Sequence, residues 1–133
     1  MKARVSYSVP MFHVMDIEKS IAFYELLGFG AKNVMRNDKG KAFWAYLQCY
    51  GGDGEEQART EAAAIMLAQA DGPFDAEQQA VLHYFYTNDL PGLRERVLAA
   101  GVKVSEIEPR FYMEKGEMRL TDPDGYTVLV GWV

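Results

Sequence analysis

The sequence predicts an α+β protein built from two similar modules, each with one helix embedded among strands. The main observation is an internal repeat. One apolar segment runs from Asp16 to Gly28 and another from Asp89 to Gly101, so the Gly follows the Asp by twelve residues in both and the copies lie 73 residues apart. A repeat at a fixed offset indicates two copies of one structural unit. The second observation is that strand-like patterns surround both helical segments.

Length and charge restrict the class of protein. A chain of 133 residues can bury the core of one domain, and we expect a single domain over 1–133, with module 1 at about 1–70 and module 2 at about 80–133. The net charge of −5 argues against a nucleic-acid partner. No apolar run approaches the roughly 20 residues that span a membrane, and the N-terminus lacks the apolar region of a signal peptide. We therefore expect a cytoplasmic protein with no membrane partner.

The first module begins with a predicted strand and a capped helix. Residues 4–14 are strand-like, and Pro10 indicates an edge or a bulge. Asp16 is a good N-cap, and Gly28 is a good residue to end the helix. The apolar face of this helix is formed by Ile17, Ile21, Tyr24 and Leu27.

Three further strands complete the first module. Residues 31–36 and 41–50 are predicted strands joined by a turn sequence at 37–40. A polar, Gly-rich loop follows at 51–61. Residues 62–70 have helical propensity, but the internal repeat favours a strand there. A second loop at 71–79 is the predicted boundary between the modules.

The second module repeats this order. Residues 81–89 form a dense β-branched and aromatic run, typical of a buried strand. Asp89 caps a helix that ends at Gly101, with its apolar face on Leu90, Leu93, Val97 and Ala100. The remaining predicted elements are strands at 102–107 and 111–120, a break at Glu114-Lys115-Gly116, a type I turn at 121–125 and a last strand at 127–133.

The order β-α-β-β-β, found twice, carries several short motifs. They are Val14-Met15-Asp16-Ile17, Ser20-Ile21-Ala22-Phe23-Tyr24, Leu27-Gly28-Phe29 and Asp122-Pro123-Asp124-Gly125-Tyr126. In this order they resemble the vicinal oxygen chelate superfamily, which includes glyoxalase I, extradiol dioxygenases, and fosfomycin- and bleomycin-resistance proteins. The resemblance covers essentially the whole chain and implies two βαβββ modules whose sheets curl into a cup with the helices outside. It also implies a homodimer.

Enzymes of this superfamily hold a divalent metal ion in the cup with His or Glu side chains. The resemblance places the four ligand positions at Val9, Met66, His83 and Leu129. Of these, only His83 is a competent ligand for a hard or borderline ion, because valine and leucine have no donor atom and a thioether suits soft metals. His13 shares the strand parity of Val9 but lies about 13 Å further along an ideal strand. Glu61, Glu114 and Glu117 have no positional support. We therefore expect no metal cofactor and lean against an enzyme.

A group of aromatic residues is the stronger functional indication. Trp44, Tyr46, Gln48 and Tyr50 alternate with Phe43, Ala45, Leu47 and Cys49, so the first set would face the cup and the second a helix. Aromatic rings with one polar end suit a concave site for a flat or amphipathic molecule. Plain core packing is the other interpretation. The predicted ligand-binding residues are His83, Trp44, Tyr46, Gln48, Met66, Val9, Leu129, Phe111, Tyr112 and Arg119.

For two residues a purely structural role has to be considered beside a functional one. His83 is a hydrogen-bonded core or pocket histidine, or else a group that contacts ligand or moves a proton near neutral pH. Cys49 belongs to the apolar strand face and is predicted to be an inert thiol. No catalytic residue is predicted.

The sequence most resembles the metal-free, bleomycin-resistance-like branch. The expected function is metal-independent binding of an apolar or amphipathic small molecule in an aromatic cup. One alternative is a metal-dependent lyase, isomerase or dioxygenase that uses His83. The other is an interaction or regulatory module in which side chains fill the cup. The ligand itself is not specified by the sequence.

Overall fold

The computed structural model describes residues 3–49 and 63–133. The predicted loop at 51–61 lies outside these residues, as do Tyr50 and Glu61. The chain divides into two compact units, Met1–Asp71 and Gly72–Val133. No helix in the described ranges is long and apolar enough to cross a membrane.

The first unit contains one helix and a four-stranded sheet. Its elements in chain order are β1 (Met11–Val14), α1 (Ile17–Leu26), β2 (Gly30–Arg36), β3 (Ala42–Gln48) and β4 (Ala64–Gln69). The sheet order is β1-β4-β3-β2, with β1 parallel to β4 and the other neighbours antiparallel. The predicted cap is confirmed, because Asp16 Oδ1 accepts a hydrogen bond from Lys19 N at 3.2 Å.

The second unit repeats this arrangement. Its elements are a short 3₁₀ helix (Ala76–Gln78), β5 (His83–Thr87), α2 (Leu90–Ala99), β6 (Glu108–Arg110), β7 (Met113–Thr121) and β8 (Thr127–Trp132). The sheet order is β5-β8-β7-β6. Asp89 caps α2 through a 3.0 Å hydrogen bond from Gly92 N. The predicted βαβββ order, found twice, is therefore confirmed.

Both predicted turns around Asn and Asp are confirmed. Asn37 Oδ1 accepts hydrogen bonds from the backbone N–H groups of Lys39 and Lys41. Asp122, which is 4% exposed, accepts three backbone hydrogen bonds of 2.9 to 3.1 Å, from residues 124, 125 and 126. These side chains replace the strand pairing that the backbone loses in each turn.

Three predicted element bounds are wrong. The first strand begins only at Met11, because Pro10 has no N–H to donate and its carbonyl instead accepts from Met66 N at 2.8 Å. The predicted strand at 102–107 is reduced to a single bridge at Val104, and the strand lies at Glu108–Arg110 instead. The hairpin turn falls at residues 111–112 and not at Glu114-Lys115-Gly116.

Gly116 explains why β7 continues through the predicted break. Its φ is +101°, and a Cβ there would lie 2.5 Å from Ile107 Cγ2. Only glycine takes this conformation and this close approach without strain. The pairing of β6 with β7 is irregular over these residues, so the strand bends and does not end.

Each sheet has one largely buried face. In the first unit this face carries Phe12, Val14, Ala45, Leu47, Ile65 and Leu67, each at most 2% exposed. In the second unit it carries Met118, Leu120, Val128 and Val130, also at most 2% exposed. These faces and the buried sides of α1 and α2 form the two cores. The opposite face of each sheet is where candidate functional residues lie.

Candidate functional site

The opposite face of the first sheet carries the predicted aromatic residues. Cross-strand pairing sets Tyr46 beside Met66, and Met66 beside Met11. The next row pairs Trp44 with Ala68, and Ala68 with His13. We call the surface formed by Met11, Trp44, Tyr46, Gln48 and Met66 the aromatic face. The structure therefore brings together four predicted site residues, which are Trp44, Tyr46, Gln48 and Met66.

The aromatic face is partly open. Trp44, Tyr46, Gln48 and Met66 are half-buried, whereas Ala45 and Leu47 on the other side of β3 are fully buried. The Trp44 and Tyr46 rings lie 6.5 Å apart between centroids, with their planes at 43°. Met11 is 54% exposed. Two rings and a flexible thioether thus offer apolar surface to a bound molecule.

Gln48 adds a polar group to this surface. Its Oε1 is buried and has no hydrogen-bond partner within residues 3–49 and 63–133. A buried acceptor without a partner costs free energy, which a hydrogen-bond donor on a ligand would recover. An aromatic surface with one free acceptor suits an amphipathic molecule.

Val9 lies outside β1 and is half-buried. It lies two residues before Met11, which is the cross-strand partner of Met66. Cys49 is half-buried, and its Sγ lies 4.0 Å from the Leu27 carbonyl oxygen. Burial raises the pKa of this thiol to about 11, so it is a poor nucleophile near neutral pH.

The second sheet brings the predicted residues Leu129 and Arg119 together but places His83 on its other face. Leu129 pairs with Tyr84 on one side and Arg119 on the other, so these three share a face. His83 pairs with Val128 and therefore lies on the buried face, with its ring 5.8 Å from that of Tyr126. Burial lowers the pKa of His83. His83 and Leu129, expected to face one cup, lie on opposite faces of the sheet.

The internal repeat explains this difference. Met11 and Met66 pair as Tyr84 and Leu129 do, so the offset of 73 carries β1 onto β5. The same offset carries Val9 onto Leu82 and not onto His83. A slip of one residue exchanges the two faces of a strand, which is why His83 falls on the buried side.

Phe111 and Tyr112, predicted as a rim, lie in the turn between β6 and β7. Phe111 is 96% exposed, and its ring stands 5.1 Å from that of Tyr112. Tyr112 is 54% exposed, and a hydrogen bond to Glu117 is the main cause that raises its pKa. Tyr112 therefore lies near Glu117 of β7.

The most unusual group on the face that carries Leu129 and Arg119 is Glu117, which the sequence indicated only as a metal-ligand candidate without positional support. Glu117 is only 5% exposed, and it accepts a 3.1 Å hydrogen bond from the hydroxyl of Tyr84. The repeat could have indicated both residues, since the offset of 73 carries Met11 onto Tyr84 and Trp44 onto Glu117. We call the surface formed by Tyr84, Tyr86, Glu117, Arg119 and Leu129 the tyrosine face.

The side chains at the four expected ligand positions do not fit a divalent metal ion. Val9 and Leu129 have no donor atom, Met66 offers only a thioether, and His83 lies on the opposite side of its sheet from Leu129. Within the described ranges, no three His, Cys, Asp or Glu side chains are grouped to hold an ion.

The chain has the architecture of a two-module α+β protein, in which the βαβββ unit occurs twice. Its half-buried aromatic face offers apolar surface to a small molecule. Residues 9–130 match the family model described as Glyoxalase/Bleomycin resistance protein/Dioxygenase superfamily, and the chain belongs to this superfamily. This confirms the resemblance and the predicted fold class. No curated protein matches the sequence.

Solved structures share the fold at low sequence identity. A bleomycin-binding protein complexed with bleomycin is 18% identical, with a TM-score of 0.68 and coverage of 97% of this chain and 99% of its own. TnmS3, an antibiotic binding protein from Streptomyces sp. CB03234, is 21% identical, with a TM-score of 0.64 and coverage of 97% and 98%. A mutant of the fosfomycin resistance protein FosX from Listeria monocytogenes, complexed with Mn(II) and 1S,2S-dihydroxypropylphosphonic acid, is 14% identical. Its TM-score is 0.66, with coverage of 96% and 93%.

Proposed function

We propose that this protein binds an apolar or amphipathic small molecule on the aromatic face, without a metal ion. The observation that carries the proposal is the pairing of half-buried Trp44, Tyr46 and Met66 with a buried Gln48 oxygen that lacks a partner within the described ranges. Residues that served only as core would be fully buried, like Ala45 and Leu47 on the other side of the same strand.

The shape of the surface favours a flat ligand. Ala68 is the cross-strand neighbour of Trp44, so only a methyl group stands beside the indole ring on that side. Met66 stands beside Tyr46 and can adjust to ligands of different outline, because its thioether chain is flexible. Aromatic stacking and a hydrogen bond to Gln48 would together orient a fused ring that carries one donor group.

Two of the similar structures support the proposal that this protein binds its ligand without converting it. The bleomycin-binding protein and TnmS3 are described as binders of antibiotics. FosX holds Mn(II). The ligand positions of this chain lack the donors such an ion requires, so we place the chain with the binders.

A direct test uses 2-naphthol, a flat neutral molecule with one hydroxyl donor, in buffer that contains EDTA. Isothermal titration should detect binding, and Trp44→Ala should weaken it by about tenfold, the usual value of one buried aromatic contact. Phe43→Ala is the matched control, because Phe43 is the neighbouring aromatic residue on the other side of the strand and is 41% exposed. It should change the affinity by less than about twofold.

A second comparison isolates Gln48. 2-Methoxynaphthalene has the same ring system but no donor, so it should bind more weakly than 2-naphthol. Gln48→Leu should remove this difference. Equal effects of Trp44→Ala and Phe43→Ala, or a loss of stability in Trp44→Ala with unchanged binding, would contradict the proposal. Binding that requires added metal would favour the enzyme alternative, and the absence of any binding would favour an interaction module.

We also propose that the protein acts as a homodimer, as the family resemblance implies. Light scattering after size-exclusion chromatography should then give twice the 15.0 kDa mass of one chain. A cytoplasmic location stays a prediction from the sequence.

A further inference from the structure

The first sheet places two methionine side chains next to each other on the aromatic face. Met11 of β1 pairs with Met66 of β4 in the parallel register. Neighbouring strands lie about 4.8 Å apart, and residues paired across them point to the same face. The next pair along these strands, Phe12 with Leu67, is at most 2% exposed and lies on the other face. Met11 is 54% exposed and Met66 is half-buried, so both thioether groups belong to the partly open face.

A histidine lies beside this methionine pair. His13 follows Met11 by two residues in β1, so its side chain points to the same face, and it is exposed. Its cross-strand partner is Ala68, which follows Met66 by two residues in β4. Ala68 also pairs with Trp44 on its other side. Its methyl group fills little of the space between His13 and Trp44, so an ion could lie there within reach of the methionine pair.

Two thioethers and one imidazole are donors that favour a soft metal ion. Thioether ligands select Cu(I), and imidazole is also a ligand of copper. A hard or borderline divalent ion instead requires several imidazole or carboxylate donors. Strands β1, β3 and β4 contain no Asp or Glu, so no carboxylate from these strands faces the methionine pair. The donor set therefore discriminates against divalent ions such as Zn(II).

The neighbouring aromatic rings also favour a cation. Trp44 lies one strand from Ala68, and its ring centroid is 6.5 Å from that of Tyr46, the cross-strand partner of Met66. A cation within about 6 Å of an indole centroid is attracted to the ring, and the attraction is strongest where water is excluded. Trp44 and Tyr46 are both half-buried, so they cover part of the space that the ion would occupy.

We propose that Met11, Met66 and His13 bind one Cu(I) ion through two sulfur atoms and one imidazole nitrogen. Of the four positions implied for a divalent ion, this site uses only Met66. The proposal goes beyond the proposed function, because the site requires no organic ligand. Gln48→Leu separates the two proposals: it should change the binding of 2-naphthol and leave the binding of Cu(I) unchanged, since an amide oxygen is a hard donor.

The probe is Cu(I) itself, added without oxygen and in the presence of ascorbate to protein labelled with ¹³C in the methionine methyl groups. The chain has seven methionines, so ¹H–¹³C spectra report on each thioether separately once Met→Leu variants have assigned the signals. The signals of Met11 and Met66 should shift together and stop shifting when Cu(I) equals the protein in concentration. The signal of Met35 should not move. Zn(II) at the same concentration should shift none of these signals.

Competition with the Cu(I) chelator bicinchoninate measures the affinity of each variant. Met11→Leu and His13→Asn should each weaken Cu(I) binding by at least about tenfold, since even the loss of a residue that only supports a metal ligand costs this much. Leucine replaces methionine at similar volume, so the fold should be kept. Met35→Leu is the matched control, because Met35 is 49% exposed and pairs with Trp44 on the side away from Ala68. It should leave the affinity unchanged.

Cys49 is the competing explanation for any bound Cu(I), since thiolates are also soft ligands. This half-buried residue follows the end of β3. Cys49→Ser should leave the affinity and the methionine signals unchanged. The proposal is overturned if Cys49→Ser abolishes binding, if Cu(I) leaves the Met11 and Met66 signals in place, or if Met35→Leu weakens binding as much as Met11→Leu. Unchanged amide spectra of each free variant would verify that the fold is intact.

Discussion

Replacing Gly131 with alanine tests the packing beneath Glu117. The added Cβ would lie 2.5 Å from the Tyr84 oxygen and 2.9 Å from Met113 Cε, distances that atoms in a folded protein do not tolerate. Tyr84 would have to move, and its 3.1 Å hydrogen bond to the buried Glu117 would weaken or break. Overpacking costs about 1–3 kcal/mol, and a lost hydrogen bond to a charged group costs about 1.5–3 kcal/mol.

A small gain opposes these costs. Gly→Ala reduces the conformational entropy of the unfolded chain, which stabilises by about 0.4–1 kcal/mol. Met113 can also move its terminal methyl at little cost. We therefore expect Gly131→Ala to lower the free energy of unfolding by about 2–5 kcal/mol, measured by urea denaturation followed by circular dichroism.

Two further variants make this prediction refutable. Gly72→Ala is the control, because a Cβ at Gly72 meets nothing within 4 Å, and its effect should stay within about 0.5 kcal/mol. Tyr84→Phe removes the oxygen that clashes, so Gly131→Ala should cost less in the Tyr84→Phe background. If Gly131→Ala and Gly72→Ala have equal effects, or if the cost is the same in both backgrounds, the placement of Tyr84 against Gly131 is wrong.

Three other predictions concern buried polar groups. Asp122→Ala should lower the free energy of unfolding by about 2–4 kcal/mol, because three backbone N–H groups lose their acceptor, whereas Asp38→Ala at an exposed turn should change it by less than about 0.5 kcal/mol. Cys49 should react with iodoacetamide about 100-fold more slowly at pH 8 than a thiol of pKa 9.0, since burial raises its pKa to about 11; equal rates would show that the thiol is accessible. Because burial lowers the pKa of His83 from 6.5, the unfolded chain takes up this proton first as pH falls, so stability should decrease below pH 6.5 and His83→Gln should reduce that slope in denaturation series.

The sequence predicted the elements that have strong local signals. Asp16 and Asp89 cap helices as expected, since an N-cap side chain acts on backbone groups within three residues. β4 was predicted against its helical propensity, because the internal repeat carries information that local propensity does not. Pro10 was recognised as unusual, but the loss of its donor shortens β1 more than expected.

The candidate site was predicted only where strand parity was secure. Trp44, Tyr46 and Gln48 lie on one strand, so their common face follows from alternation alone. The relation between β5 and β8 depends on register, and an error of one residue placed His83 on the wrong face. Glu117 follows Glu114, Lys115 and Gly116, a polar sequence that indicates an exposed turn. It is nevertheless buried and accepts a hydrogen bond from the hydroxyl of Tyr84, 33 residues away, a contact that no local pattern specifies.

The claim that the ligand is bound without a metal ion is tested most directly by the metal content of tag-free protein. Elemental mass spectrometry would be performed before and after incubation with Ni, Mn, Fe(II) and Zn, followed by removal of free ion. We expect less than about a tenth of an equivalent per chain, because Val9, Met66 and Leu129 offer no donor suited to these ions. Half to one equivalent of bound ion would contradict the account, and it would establish that other side chains supply the ligands of a metal-dependent enzyme.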